Sequence, residues 1–342
     1  MYAPDHNATA TSDTVVELNG VYKTFYQKQR SARLRDTLRN MFKPPIREVQ
    51  ALRGIDLTIG RGQIVAYAGP NGAGKSTTVK MLSGMLAPDQ GRVRSLGMDP
   101  VRERVRYVRR IGVVFGQRTE LWNDHPIAAS FEWKRVVWDI PRDRFEYMQA
   151  LLKDVLGLHD YFHSLTRELS LGQKMRAELA LALLHEPEIL FLDEPTIGLD
   201  VLAKRMILDF IKQLNRTRHV TVMITSHDMS ELEQLAGRIV MISQGAIAFD
   251  GSFDRLRREV SDRRRLVLQT GSDSAPALDG AELLTSEASR HEYVFDAART
   301  RIADLLVQAG TQTSVLDVET HRAPIDEVIA HMYHRWRSQG QA

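Results

Sequence analysis

Ile64-Val65-Ala66-Tyr67-Ala68-Gly69-Pro70-Asn71-Gly72-Ala73-Gly74-Lys75-Ser76-Thr77 is the stretch that decides the fold. Five apolar residues read as a strand, and a helix-forming run from Lys75 through Leu82 follows the glycine-rich turn. Glycine, four residues, Gly-Lys-Ser is the pattern of a loop whose backbone N–H groups turn inward around an anion. The glycines allow that backbone path, and the start of the next helix adds the positive end of its dipole. Lys75 can reach terminal phosphates, and the Ser76 hydroxyl can ligate magnesium. Taken alone, the loop says only that a nucleoside triphosphate binds.

Further segments narrow this. Glu188-Ile189-Leu190-Phe191-Leu192-Asp193-Glu194-Pro195-Thr196 carries four apolar residues in a row, as suits a central parallel strand buried on both faces. Two carboxylates stand at its C-terminal end, the edge where open α/β sheets bind ligands. Asp193 is placed to hold magnesium through water, and Glu194 to polarise an attacking water. His219 to Thr225 reads as another strand, which puts His227 on the same edge, where an imidazole can hydrogen-bond a γ-phosphate. Ile111 to Phe115 reads as a third, followed by Gly116 and by Gln117, whose amide oxygen can join a magnesium shell. Leu169-Ser170-Leu171-Gly172-Gln173 precedes a run of helix formers from Lys174 to Leu184, with Ser170 as its N-cap. A glycine and a hydroxyl at a helix start make a second anion site, although the chain already has one.

In their order and intervals, the phosphate loop, Gln117, Leu-Ser-x-Gly-Gln, Asp193-Glu194, Gly198-Leu199-Asp200 and His227 resemble the ATP-binding cassette (ABC) ATPases over residues 15–255. The resemblance implies an α/β P-loop fold with a mostly parallel core sheet, a small antiparallel β subdomain and a helical subdomain at 118–168. It also implies half of a head-to-tail sandwich, in which one cassette's signature helix closes over the nucleotide held by its twin. In that scheme Gly69, Pro70, Asn71, Gly72, Ala73, Gly74, Lys75, Ser76 and Thr77 cradle ATP, while Ser76, Gln117 and Asp193 organise Mg2+. Glu194, His227 and Lys75 are the catalytic set; Ser170, Gly172 and Gln173 face the partner's γ-phosphate, and Asp200 lies on the loop bridging the subunits. Phe25 falls at the position whose ring stacks on adenine, with Tyr22 and Tyr26 as close rivals.

The signature carries Leu171 where glycine is commonest, a change that is tolerable if the side chain points off the phosphate. An insertion at 27–48 is basic, with Leu34, Leu38, Met41 and Phe42 at helical spacing before Pro44-Pro45. It fits anionic lipid headgroups or a permease's cytoplasmic face, and equally a solvated helix packing on its own domain.

The composition, 342 residues with no cysteine and a net charge of +3, excludes disulfides and thiolate metal sites and gives no electrostatic case for nucleic acid. No apolar run approaches the ~18–20 residues of a membrane span, and residues 1–14 read as a disordered tail without a secretory core. The resemblance then implies a peripheral ATPase on the cytoplasmic membrane face, working with separate permease subunits; the Leu-Ser-Leu-Gly-Gln signature, the C-terminal region and the Gly-Leu-Asp loop resemble exporters of drugs, lipids or polysaccharides, with importers as the other direction. A soluble ABC ATPase acting on ribosomes or DNA is the alternative. It is disfavoured by the single cassette, and by the roughly 95 residues from Lys75 to Ser170, too few for a long coiled coil. Trp122, Trp133 and Trp138 are expected in the core of the helical region, or else against a permease helix. Residues 262–342 alternate strand and helix signals, implying a small α+β domain with no catalytic constellation. Two histidine pairs, His159 with His163 and His331 with His334, read as surface or structural groups.

Overall fold

The computed structural model describes residues 13–28, 46–116, 118–260 and 263–322, together with Ile325, Val328, Ile329, Met332, Tyr333 and Trp336. Most of the expected tail and of the basic insertion, together with Gln117, His331 and His334, lie outside the described residues. By packing, the chain divides into two units: one comprises residues up to 227 with 234–250, the other 228–233 with the residues from 251 onward.

The first unit opens with a long antiparallel ribbon, β1 (Thr14–Lys28) against β2 (Ile46–Gly60). After β3 (Ile64–Ala68) and α1 (Lys75–Leu82), β4 (Gln90–Ser95) joins β1 to complete a three-stranded sheet ordered β2-β1-β4. Apolar residues from both ribbon strands, among them Val16, Leu18, Val21, Ile55 and Ile59, bury one face of this sheet against the central core. Next come α2 (Arg104–Val108) and β5 (Ile111–Phe115). Two helices of the helical region follow, α3 (Ile127–Trp138) and α4 (Arg142–Leu156). The chain then runs through α5 (Leu171–Leu183), β6 (Ile189–Asp193), α6 (Val201–Arg218), β7 (Thr221–Thr225), α7 (Met229–Leu235), β8 (Arg238–Ser243) and β9 (Ala246–Gly251).

A six-stranded sheet, ordered β5-β6-β7-β3-β8-β9, forms the centre. β5, β6, β7, β3 and β8 pair in parallel. Ile189, Leu190, Phe191 and Leu192 are all fully buried, as a run without polar alternation requires of a strand covered on both faces. Parallel pairing has one consequence that matters most for function. It brings the C-terminal ends of β3, β5, β6 and β7, and so the residues that follow each, to a single edge.

The helical region is held by Phe131 and Phe162, which meet edge to face with centroids 5.1 Å apart. Two of the tryptophans correct the expectation of a core position. Trp122 and Trp133 are 39% and 37% exposed, and their tilted row of rings continues to Trp138, which is half-buried with its indole nitrogen inside. The Lys134 ammonium sits 3.9 Å from the Trp138 ring centroid, a cation–π contact that keeps a lysine under an aromatic cover.

The second unit carries α8 (Phe253–Val260) and an antiparallel sheet of β10 (Arg263–Thr270), β11 (Ala281–Glu287), β12 (Arg290–Asp296) and β13 (Val315–Arg322), ordered β11-β12-β10-β13. The helix α9 (Ile302–Gln312) lays Leu305 and Ala309 on Leu266, Leu268, Tyr293 and Phe295. The Tyr293 hydroxyl donates to the Pro276 carbonyl at 2.6 Å, so the largest ring in this small core keeps its polar tip satisfied.

Candidate functional site

The loop after β3 owes its path to glycine. A Cβ on Gly69 would lie 2.4 Å from the Ile242 carbonyl oxygen, and one on Gly74, at φ +114°, would lie 2.7 Å from the Ala51 carbonyl. Gly74 caps α1 without a side-chain bond, so the first N–H groups of that helix point into the loop. Lys75 is only 6% exposed, and its Nζ donates to the Gly69 carbonyl at 2.6 Å. Burial pushes its ammonium below the usual lysine value, while the carboxylates of Glu194 and Asp193 pull it back up. Those two acids therefore lie within electrostatic reach of the loop, although more than a hundred residues separate them in sequence. Asn71, Gly72 and Ser76 are exposed, whereas Gly69 and Ala73 are buried and Pro70 and Thr77 half-buried.

At the end of β6 one hydroxyl organises both carboxylate residues. Thr225 Oγ1 donates to Asp193 Oδ1 at 2.7 Å and accepts from the Glu194 N–H at 3.0 Å. Glu194 takes a left-handed backbone, φ +57°, an uncommon conformation for a glutamate and one typical of functional sites. Its Oε1 lies 2.6 Å from His227 Nε2. The Gly116 N–H donates to the Asp193 carbonyl at 2.8 Å, and a Cβ on Gly116 would collide with the Glu194 carbonyl at 2.2 Å. Thr225 and Gly116 are thus site-building residues that motif reading passes over. The only signal was their place at strand ends on the ligand-binding edge.

The second helix start is built separately. Ser170 Oγ accepts from the Gln173 N–H at 3.2 Å, and the Gln173 side-chain oxygen accepts from the Ser170 N–H at 2.8 Å, a reciprocal capping box. Ser170 and Leu171 are exposed, so the start of α5 faces outward. Next to it, Asp200 Oδ1 accepts from the Ala203 N–H at 2.9 Å and caps α6. A Cβ on Gly172 would lie 3.3 Å from the Ala203 Cβ, and one on Gly198 would lie 2.9 Å from Leu171 Cδ2. Leu171 therefore leans over the Gly198 turn. Replacing it by glycine is expected to leave the hydrolysis rate within about threefold while costing roughly 0.5–1 kcal/mol in helix stability. Steady-state phosphate release and a thermal melt check both.

Phe25 is 37% exposed, Tyr22 45% and Tyr26 69%, so all three rings of the ribbon are accessible. The Lys23 ammonium lies 5.9 Å from the Phe25 centroid. His159 Nε2 pairs with the Asp154 carboxylate, and no cluster of three metal-ligating side chains occurs among the described residues.

A family model described as ABC transporter matches residues 52–197. A daunorubicin resistance ATP-binding protein, DrrA3 of Streptomyces coeruleorubidus, is 33% identical over 291 residues, which is 83% of this chain and 91% of that protein. A fluoroquinolones export ATP-binding protein of Mycobacterium tuberculosis is 36% identical over 246 residues, 72% of this chain and 77% of that protein. Among solved structures, a dimeric post-hydrolysis state of an ATP-binding cassette bound to ADP and Pi superposes with a TM-score of 0.57 at 23% identity, covering 69% of this chain and 98% of that one.

Proposed function

As this chain belongs to the ABC transporter family, as an ATP-binding subunit that hydrolyses ATP for transport, we propose that it powers export through separate permease subunits as one of two like cassettes. The observation that carries this is the pairing of Glu194 with His227 on the edge that also holds Lys75, together with the outward start of α5 at Ser170. The first set holds and attacks a triphosphate, and the second is free to cover another one. Export is the direction favoured by the printed names of the two bacterial relatives above. No helix among the described residues is long and apolar enough to cross a membrane, in keeping with a permease supplied by other chains.

Geometry supports the residue roles that the resemblance implies. Backbone N–H groups from Gly69 to Thr77, together with Lys75, hold the β- and γ-phosphates. Glu194 accepts a proton from the attacking water while His227 orients it against the γ-phosphate. Phe25 is the stacking ring for adenine, exposed as that role requires. Ser170, Gly172, Gln173 and Asp200 face the partner cassette. The exposed Ser76 hydroxyl and the Asp193 carboxylate are hard oxygen donors that suit magnesium, with Gln117 as the third group of the set. When bound, that ion supplies charge neutralisation on the phosphate oxygens.

Composite sites make a sharp test. Lys75→Ala and Ser170→Arg subunits are each expected to be nearly inactive alone. Mixed, they form dimers with one intact site, and activity should return to about a quarter of wild type. A mixture that stays as inactive as its parents would remove the two-cassette arrangement.

A further inference from the structure

A buried carboxylate stands midway along α5, on the helix that starts at Ser170. Glu178 is 6% exposed. It accepts from the Thr119 hydroxyl, and the same oxygen accepts from the Glu120 N–H at 2.9 Å and from the Leu121 N–H at 3.4 Å. The segment it holds leaves β5 through Gly116, which is itself bonded to the Asp193 carbonyl and packed on the Glu194 carbonyl. Other groups secure the same segment to α3: the Trp122 N–H donates to Ser130 Oγ at 3.0 Å, and Lys134 Nζ donates to Glu120 Oε2 at 3.0 Å.

We propose that Glu178 is a positioning residue for ATP hydrolysis, tying the Ser170 helix to the segment that leads out of the Asp193–Glu194 edge so that the two nucleotide-facing parts hold one fixed spacing. The proposal rests on the ATPase reading above. An alanine here would fill the space of a helix interior without reaching the segment. A carboxylate spans the gap and collects three donors on a single oxygen, and nothing in the chemistry of the phosphate loop or the capping box calls for a buried acid at this place. Burial pushes its carboxyl up to about 7, and the Thr119, Leu121 and Glu120 donors push back, while the nearby Glu120 carboxylate adds to the rise. Lys134, which pairs with that Glu120, is the cation facing this cluster. Near neutrality the protonated form is thus well populated, and a neutral amide that offers the same acceptor oxygen is a close mimic.

The test uses the full chain, with steady-state phosphate release and an equilibrium titration with ATP under non-turnover conditions. Glu178→Ala is expected to lower kcat by about tenfold or more, with nucleotide affinity within about twofold and binding stoichiometry unchanged. Glu178→Gln is expected to recover kcat to within about threefold of wild type, since it keeps the acceptor. Wild-type kcat in Glu178→Ala, or a Glu178→Gln protein no better than the alanine variant, overturns the proposal. Should Glu178→Ala not fold, Thr119→Val removes the hydroxyl that donates to Glu178 and that also accepts from the Leu121 N–H at 3.0 Å, leaving the Glu120 and Leu121 N–H donors to the carboxylate in place; a several-fold fall in kcat at unchanged affinity supports the proposal, and an unchanged kcat overturns it. Failure of the ATPase reading looks different, because wild-type protein would then release no phosphate.

Discussion

Glu194→Gln is expected to keep ATP bound and nearly abolish its turnover. The amide has the shape of the carboxylate and can still take a hydrogen bond from His227 Nε2, which lies 2.6 Å from Glu194 Oε1. What it loses is the capacity to accept a proton from water. A positioned general base is worth about 10²–10⁴ in rate, and a loss in that range is expected in single-turnover phosphate release. Nucleotide affinity should hold, because the groups that grip the phosphates belong to the loop after β3. Slow hydrolysis with intact binding leaves two cassettes clamped around their nucleotides, so the variant should elute as a dimer in ATP and as a monomer without it. A monomer of ordinary activity in ATP would contradict both the base assignment and the sandwich.

How much of this was open to sequence reasoning depends on how local each requirement is. The phosphate loop was legible because its constraints are contiguous: Gly69 and Gly74 admit no side chain, and Lys75 follows directly. The strand Ile189–Asp193 was legible because burial on both faces leaves no polar alternation. The Thr225 clamp was not, since its two partners lie on a neighbouring strand and any hydroxyl at a strand end looks alike in sequence. Glu178 was hidden for the same reason; on a helix of Ala and Leu it reads as an ordinary helix former until its donors on the segment after β5 are seen. β11 shows tertiary context overriding propensity. Ala281-Glu282-Leu283-Leu284 favours a helix, yet pairing with β12 draws it into an edge strand. The tryptophans failed in the opposite direction. Their size argues for burial, but Trp122 and Trp133 remain on the surface because Phe131 and Phe162 already fill the helical region's interior.

Lys75→Ala separates the binding half of the site from its catalytic half. The Lys75 ammonium is buried, held by the Gly69 carbonyl at 2.6 Å, and it is the cation that faces Asp193 and Glu194 across the loop. A triphosphate brings further negative charge to that edge. Without the ammonium, the phosphates meet two carboxylates with one fixed cation fewer in opposition, and the Gly69 carbonyl loses its donor. A hydrogen bond to a charged group contributes about 1.5–3 kcal/mol, so ATP affinity is expected to fall roughly 10- to 150-fold. Turnover should fall with it, because the γ-phosphate is no longer placed against the Glu194 water. The contrast with Glu194→Gln is the informative part: one variant binds and does not turn over, the other scarcely binds. Titration of Lys75→Ala with a fluorescent ATP analogue at several ionic strengths measures the effect. Because the lost interaction is sheltered from solvent, the deficit should persist at high salt. Wild-type affinity in Lys75→Ala would mean that the nucleotide sits elsewhere than in the loop after β3.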